Sequence, residues 1–249
     1  MSKNTERLAG TPSMGTCAVI NASTTDSDSK VKSYIDAVQI QVDKDISVYW
    51  GYTVNLVFVP GGGNAVIPKS DWYAGFFDNS DQAGALAWHD VGPNGEPLIK
   101  VFTKDTEDAG LSPSSSFSHE VAESLSDPNA NTTVQGFDNN GKPALLFREN
   151  ADPVESTSYQ INGLDVSDFA TPNWFVSSSK GPWDFMEQTT APFQMLQGGY
   201  EMYSYDNGVT WNQVDKQSKR LAMHKSPHSR WALYKKKHNE RVRSKFKIK

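Results

Sequence analysis

The stretch Phe117-Ser-His119-Glu120-Val-Ala-Glu123-Ser-Leu-Ser-Asp127-Pro128 holds the residues best suited to chemistry. His119, Glu123 and Asp127 are spaced by four, so on a helix they stack along one stripe. Glu120 lies about 100° round the axis from His119. A His and a carboxylate one turn apart offer a nitrogen and an oxygen to one divalent cation. The carboxylate between them is then placed to take a proton from a water that the cation acidifies. This pattern assigns Glu120 as general base and His119, Glu123 and Asp127 as metal ligands. Phe117, Val121 and Leu125 form a second four-spaced stripe, an apolar one suited to a core, and Pro128 ends the helix. The competing reading of His-Glu-x-x-Glu alone is a solvated helix face, since Glu is common on helices. Asp127 favours the metal reading by adding an oxygen donor to the stripe.

Other residues could complete such a site. His89, in Trp88-His89-Asp90, could approach the ion from a neighbouring strand, against the alternative of a strand-end His bonded to a turn. Glu149 and Asp152, in Glu149-Asn-Ala-Asp152-Pro153, could supply a ligand or an outer partner, against plain turn or helix capping. Glu155 reads as solvated. No Ser-His-Asp or Cys-His set is apparent. Gly61-Gly62-Gly63 lacks the Lys-Ser/Thr of a phosphate-binding loop. Ser204-Tyr-Asp206-Asn-Gly208-Val-Thr-Trp211 fits the Asp-box of β-propellers in a single copy without repeats, so a capped hairpin turn is the better reading.

The elements that must position these residues follow from periodicity. Residues 1–30 read as a polar N-terminal arm. Residues 31–50 read as a helix, with Tyr34 or Ile35, Val38, Val42, Ile46 and Tyr49 at helical spacing, ended by Gly51. Strands are expected over 54–60, 72–77, 85–89 and 98–103, the last after a Gly92-Pro-Asn-Gly95 turn. A loop over 106–116 would lead into the His119 helix. Further strands are expected over 144–147, 159–161, 164–169, 197–205 and 211–214. The fold class is therefore α+β, with a mixed sheet and a metal-site helix in one domain over 31–214, followed by a basic tail over 215–249.

Charge divides the chain. Its 249 residues carry a net charge of −5. From position 216 onward there are thirteen Lys and Arg against the single acid Glu240, a local charge of +12, which leaves −17 on the rest. Lys219, Arg220, Arg230, Lys235, Lys236, Lys237, Arg241 and Arg243 are interleaved with Trp231 and Tyr234. Such a pattern suits contact with nucleic acid or with an acidic partner surface, and equally a solubilising tail. Cys17 is the one cysteine, which excludes an internal disulfide. No apolar run of about 20 residues is present, so no membrane span is expected. The N-terminal stretch lacks the apolar centre of a secretory signal, so cytoplasmic synthesis is expected.

Several stretches in order carry a family resemblance: Asp36-Ala-Val-Gln-Ile-Gln-Val-Asp-Lys-Asp45 through Trp50-Gly51, Ala83-Gly-Ala-Leu-Ala-Trp-His89-Asp90, Gly95-Glu-Pro-Leu-Ile-Lys-Val-Phe102, Ser118 through Pro128, Glu149-Asn-Ala-Asp152-Pro-Val-Glu155 and Val166 through Phe175. The sequence resembles a largely uncharacterised family of bacterial and tailed-phage proteins with a zincin-like His-Glu-x-x-Glu-x-x-x-Asp-Pro core. That core is also similar to plant exordium-type proteins. The resemblance spans residues 31–175 and leaves out the basic tail. It implies a zincin-like domain with a metal on His119, Glu123 and Asp127, Glu120 as base, and Glu149 and Asp152 as a downstream acidic pair. Zinc is the expected ion. Carboxylates in place of a second His make the site harder, so calcium or manganese are alternatives. The resemblance carries over a site and not a substrate; the chemistry of that site, with Glu120 as base, makes a metal-dependent hydrolase the expected function, a metallopeptidase-like phage protein acting on peptide or protein. The alternative is a virion structural component, capsid- or tail-associated, whose basic arm meets neighbouring subunits or DNA.

Overall fold

A computed structural model describes residues 11–82, 84–92 and 94–215. The first strand, β1 (Ser13–Asn21), corrects the expectation of an arm over 1–30. Cys17, Ala18 and Val19 are buried in it, and the strand pairs in parallel on both sides. The short apolar run Cys17-Ala-Val-Ile20 is diluted by polar neighbours when composition is averaged over thirty residues. An inner parallel strand needs no more than such a run, because both faces are covered.

α1 (Asp28–Gln41) starts where Ser27 Oγ accepts the Lys30 N–H and buries Val31, Tyr34, Ile35 and Val38. One π-helical turn over Val42–Ile46 follows, then α2 (Ser47–Trp50). Gly51, at φ +75°, closes it in the left-handed conformation that glycine adopts without strain. β2 (Thr53–Val59), β3 (Trp72–Phe77), β4 (Ala87–Val91) and β5 (Pro97–Phe102) complete a five-stranded sheet of order β2-β1-β3-β5-β4. All its pairs are parallel except β4–β5. β4 is therefore an antiparallel edge strand, with His89 opposite Ile99.

The expected loop over 106–116 contains helix instead. α3 (Thr103–Asp108) spans six residues, too few for a period to show, and carries a Lys104–Asp108 ion pair one turn apart. α4 (Pro113–Ser126) follows with Pro113 in its first turn. Phe117, Val121 and Leu125 of α4 enter the main core with Cys17, Tyr34, Phe76, Ile99 and Val101. The Phe117 and Phe76 rings are 5.1 Å apart.

The rest of the chain adds a second sheet and a hairpin. β6 (Thr133–Phe137), β7 (Pro143–Phe147), β10 (Tyr200–Ser204) and β11 (Asn212–Asp215) form an antiparallel sheet of order β11-β10-β7-β6. β8 (Ser158–Ile161) and β9 (Leu164–Ser167) form a hairpin beside α4. The Asp-box sequence is the β10–β11 turn: Asp206 accepts the Thr210 N–H, and the Trp211 indole donates to Gly208 O. The chain between 176 and 196, for which no element is expected, is irregular and closes around Asp184, which accepts the Gln188 and Thr189 N–H groups. No helix among the described residues is long and apolar enough to cross a membrane. The residues of the basic tail, Lys219 to Arg243 among them, lie outside the described part.

Candidate metal centre

α4 is clamped on two sides. Its apolar stripe is in the core, and β9 is tied to it where Ser114 Oγ donates to Asp165 O (2.7 Å) and Ser118 Oγ accepts the Ser167 N–H (2.6 Å). The remaining face presents His119, Glu120 and Glu123 to a space bounded by β4 and by the chain following β7. All three are buried, so the stripe is not a solvated face.

Two other segments bring side chains to the same space. β4 carries His89, which is buried. The chain following β7 carries Glu149 and Asp152 and is stitched down at several points. Ser126 Oγ donates to Arg148 O, and Arg148 Nη2 donates to Ser126 O, which fixes the chain to the end of α4. Ala170 N–H donates to Asn150 O, and Leu196 N–H to Pro153 O. Gly199 lies so close that a Cβ there would stand 2.2 Å from Pro153 O. That contact is with backbone, so the approach requires glycine.

The distances describe one constellation. His119 Nε2 is 3.2 Å from Glu123 Oε1 and 3.2 Å from Asp152 Oδ1. His89 Nδ1 is 3.0 Å from Glu120 Oε2 and 3.2 Å from Glu123 Oε2. His89 Nε2 is 3.5 Å from Glu149 Oε2. With metal–ligand bonds of about 2.1 Å, two donors on one ion are about 3.0 Å apart in octahedral and about 3.4 Å apart in tetrahedral geometry. The side chains thus stand at the spacing that a cation's ligands adopt. Buried His and Glu groups here could hold a metal ion: one set is His119, Glu120 and Glu123, another is His89, Glu123 and Glu149.

No family model, curated protein or solved structure matches this chain.

Electrostatics show what the cluster must resolve. Burial alone lowers the basicity of the His119 imidazole, but the Glu123, Asp152 and Glu120 carboxylates outweigh it and hold its pKa well above the ordinary histidine range. Close carboxylates taken out of water must be neutralised by protons, by hydrogen bonds or by cations.

Asp127 does not join the cluster. Its carboxylate accepts the Thr132 N–H and the Thr132 hydroxyl, each at 2.7 Å. The four-residue spacing that places it on the stripe holds only within a helix, and α4 ends at Ser126. Asp127 itself is at φ −139°, ψ 75°, which turns its side chain toward the following loop. The structure gives it the role of tying that loop down.

Sequence reading missed Glu201 on β10. It is fully buried, and its Oε1 accepts the Met202 N–H while Oε2 has no hydrogen-bond partner among the described residues. Burial first, and then the charges of Asp152, Glu149 and Glu123, push its pKa well above the carboxylate range. The available signal was period two: Glu201 shares a strand face with Tyr203, which is also fully buried. An acid on an inward strand face marks either a cost or a site.

Proposed function

We propose that this protein is a metal-dependent hydrolase of zincin-like, metallopeptidase type, acting on peptide or protein. The observation that carries the reading is the buried helical face of His119, Glu120 and Glu123, met by His89, Glu149 and Asp152 from two other segments. A structural metal alone needs no spare carboxylate between its helical ligands, and Glu120 occupies that position.

His119 and Glu123 would hold the ion, with Asp152 on the same ring nitrogen as third donor. Zinc is the expected ion, and the oxygen-rich set also suits manganese or calcium. A divalent cation bound there supplies Lewis-acid polarisation of a carbonyl and acidifies a water. Glu120 is the proton acceptor, and His89 Nδ1, 3.0 Å from Glu120 Oε2, fixes the direction of that carboxylate. Solvent reaches the cluster at His119, whose side chain is 11% exposed, and at Glu120 and Glu149, each 6% exposed. A substrate carbonyl would therefore enter beside the base and not behind it.

The test is metal content by elemental mass spectrometry together with a peptidase screen. Bound zinc, lost in His119→Ala/Glu123→Ala, is expected. Glu120→Gln should keep the metal and lower turnover by about 10²–10⁴-fold. A folded wild-type protein without metal, or full turnover in Glu120→Gln, would sink the reading. One observation favours a second reading, a virion structural component: the +12 charge after position 215 set against an acidic body. In that case no substrate would be turned over, and loss of metal would cost only stability.

A further inference from the structure

Glu123 is the pivot of the cluster. Its two carboxylate oxygens face different histidines: Oε1 is 3.2 Å from His119 Nε2, and Oε2 is 3.2 Å from His89 Nδ1. The imidazoles arrive from different elements, one from α4 and one from the edge strand β4. Each brings a further acid, for His119 Nε2 is 3.2 Å from Asp152 Oδ1 and His89 Nε2 is 3.5 Å from Glu149 Oε2. An ion bound by His119 Nε2 and Glu123 Oε1 uses neither Glu123 Oε2 nor the His89 imidazole. Two ligand sets, His119 with Glu120 and Glu123 and His89 with Glu123 and Glu149, share Glu123, and a carboxylate with an imidazole at each oxygen has the arrangement of a bridge between two ions.

We infer that the centre holds two divalent cations bridged by Glu123, one with His119 and Asp152, the other with His89 and Glu149. This extends the metal-centre reading above and depends on it.

Glu201 gives independent support. Its Oε2 is fully buried with no hydrogen-bond partner among the described residues, and the charges of Asp152, Glu149 and Glu123 act on it. A buried oxygen left so is costly unless a cation stands nearby. Glu120, Glu123, Glu149 and Asp152 bring four carboxylates to the space. One divalent cation balances two of them, and two balance all four. Two ions so held would polarise a carbonyl and acidify the attacking water. The substrate class that fits is an amide or ester whose carbonyl enters between them at the His119–Glu120–Glu149 side, where the buried cluster keeps slight exposure.

The test uses the full chain stripped with chelator and reloaded with zinc for native mass spectrometry, or with manganese for electron paramagnetic resonance. Wild type should take up two ions and give a spin-coupled manganese signal. His89→Ala and the near-isosteric Glu149→Gln should each take up one ion and give the six-line signal of isolated manganese. Circular dichroism confirms that each variant is folded. If wild type binds one ion, and His89→Ala still binds one, the second ion is refuted and the mononuclear centre stands. If folded wild type binds none, both readings fall. If wild type binds two and folded His89→Ala binds two, the assignment of His89 is refuted. If a variant fails to fold, the coupled or uncoupled wild-type signal decides alone.

Discussion

Asp127 offers a sharp way to separate chemistry from architecture. Replacement by Ala removes two short hydrogen bonds to a buried carboxylate and leaves the Thr132 N–H without its acceptor. Each bond to a charged acceptor is worth about 1.5–3 kcal/mol. Part of that is returned because the carboxylate no longer has to be held out of water, so a net loss of about 3 kcal/mol is expected. For a chain of this size that corresponds to a melting temperature lower by about 6–12 °C. Metal affinity should change by less than about threefold, because the carboxylate faces Thr132 and away from His119. The assay is differential scanning calorimetry of the metal-free chain beside zinc titration against a competing chelator. Thr132→Val, which removes only the hydroxyl partner, should lose about 1 kcal/mol. A variant Asp127→Ala that melts like wild type but binds zinc tenfold or more weakly would refute the reasoning and restore Asp127 as a ligand.

Two further expectations rest on other parts of the fold. Asp168 is fully buried, and burial together with the Asp184 charge pushes its pKa up from 3.8 to about 8. The folded state then holds a proton that the unfolded state has released between those values, so this contribution to stability is full below about pH 4 and is lost as pH rises through about 8. Asp168→Asn should flatten that decline in urea melts at pH 5, 7 and 9, and a slope equal to wild type would contradict it. Gly199→Ala would force the Asp152–Pro153 backbone away from β10. We expect a loss of about 1–3 kcal/mol and a roughly tenfold or greater drop in metal affinity, read by calorimetry and zinc competition, and an unchanged affinity would show that Asp152 does not depend on this packing.

His119, Glu120 and Glu123 were legible in the sequence because they sit inside one helix, where spacing alone fixes direction. Asp127 was misplaced by the same rule, applied one residue beyond the helix end. Glu149, Asp152 and His89 could be named as candidates from residue type, but only the fold shows that Arg148–Ser126 bonding and the β4–β5 pairing bring them to one space. Glu201 gave no motif, since a single acid in a strand becomes meaningful only once its face is known to be inward. β1 was hidden because an inner parallel strand has no alternation to detect, and α3 because six residues do not complete two turns. The strands carrying apolar runs, β2, β3 and β5, were readable to within a residue or two.

The position of His89 has a kinetic consequence. β4 is hydrogen-bonded to the sheet along one side only, through β5. Edge strands open locally at a fraction of the free energy that unfolds a core helix such as α4. Such an opening would withdraw the His89 imidazole while His119 stays in place. Amide hydrogens of β4 should exchange sooner than those of α4, and a ligand bound on the His89 side should leave at the rate of that opening.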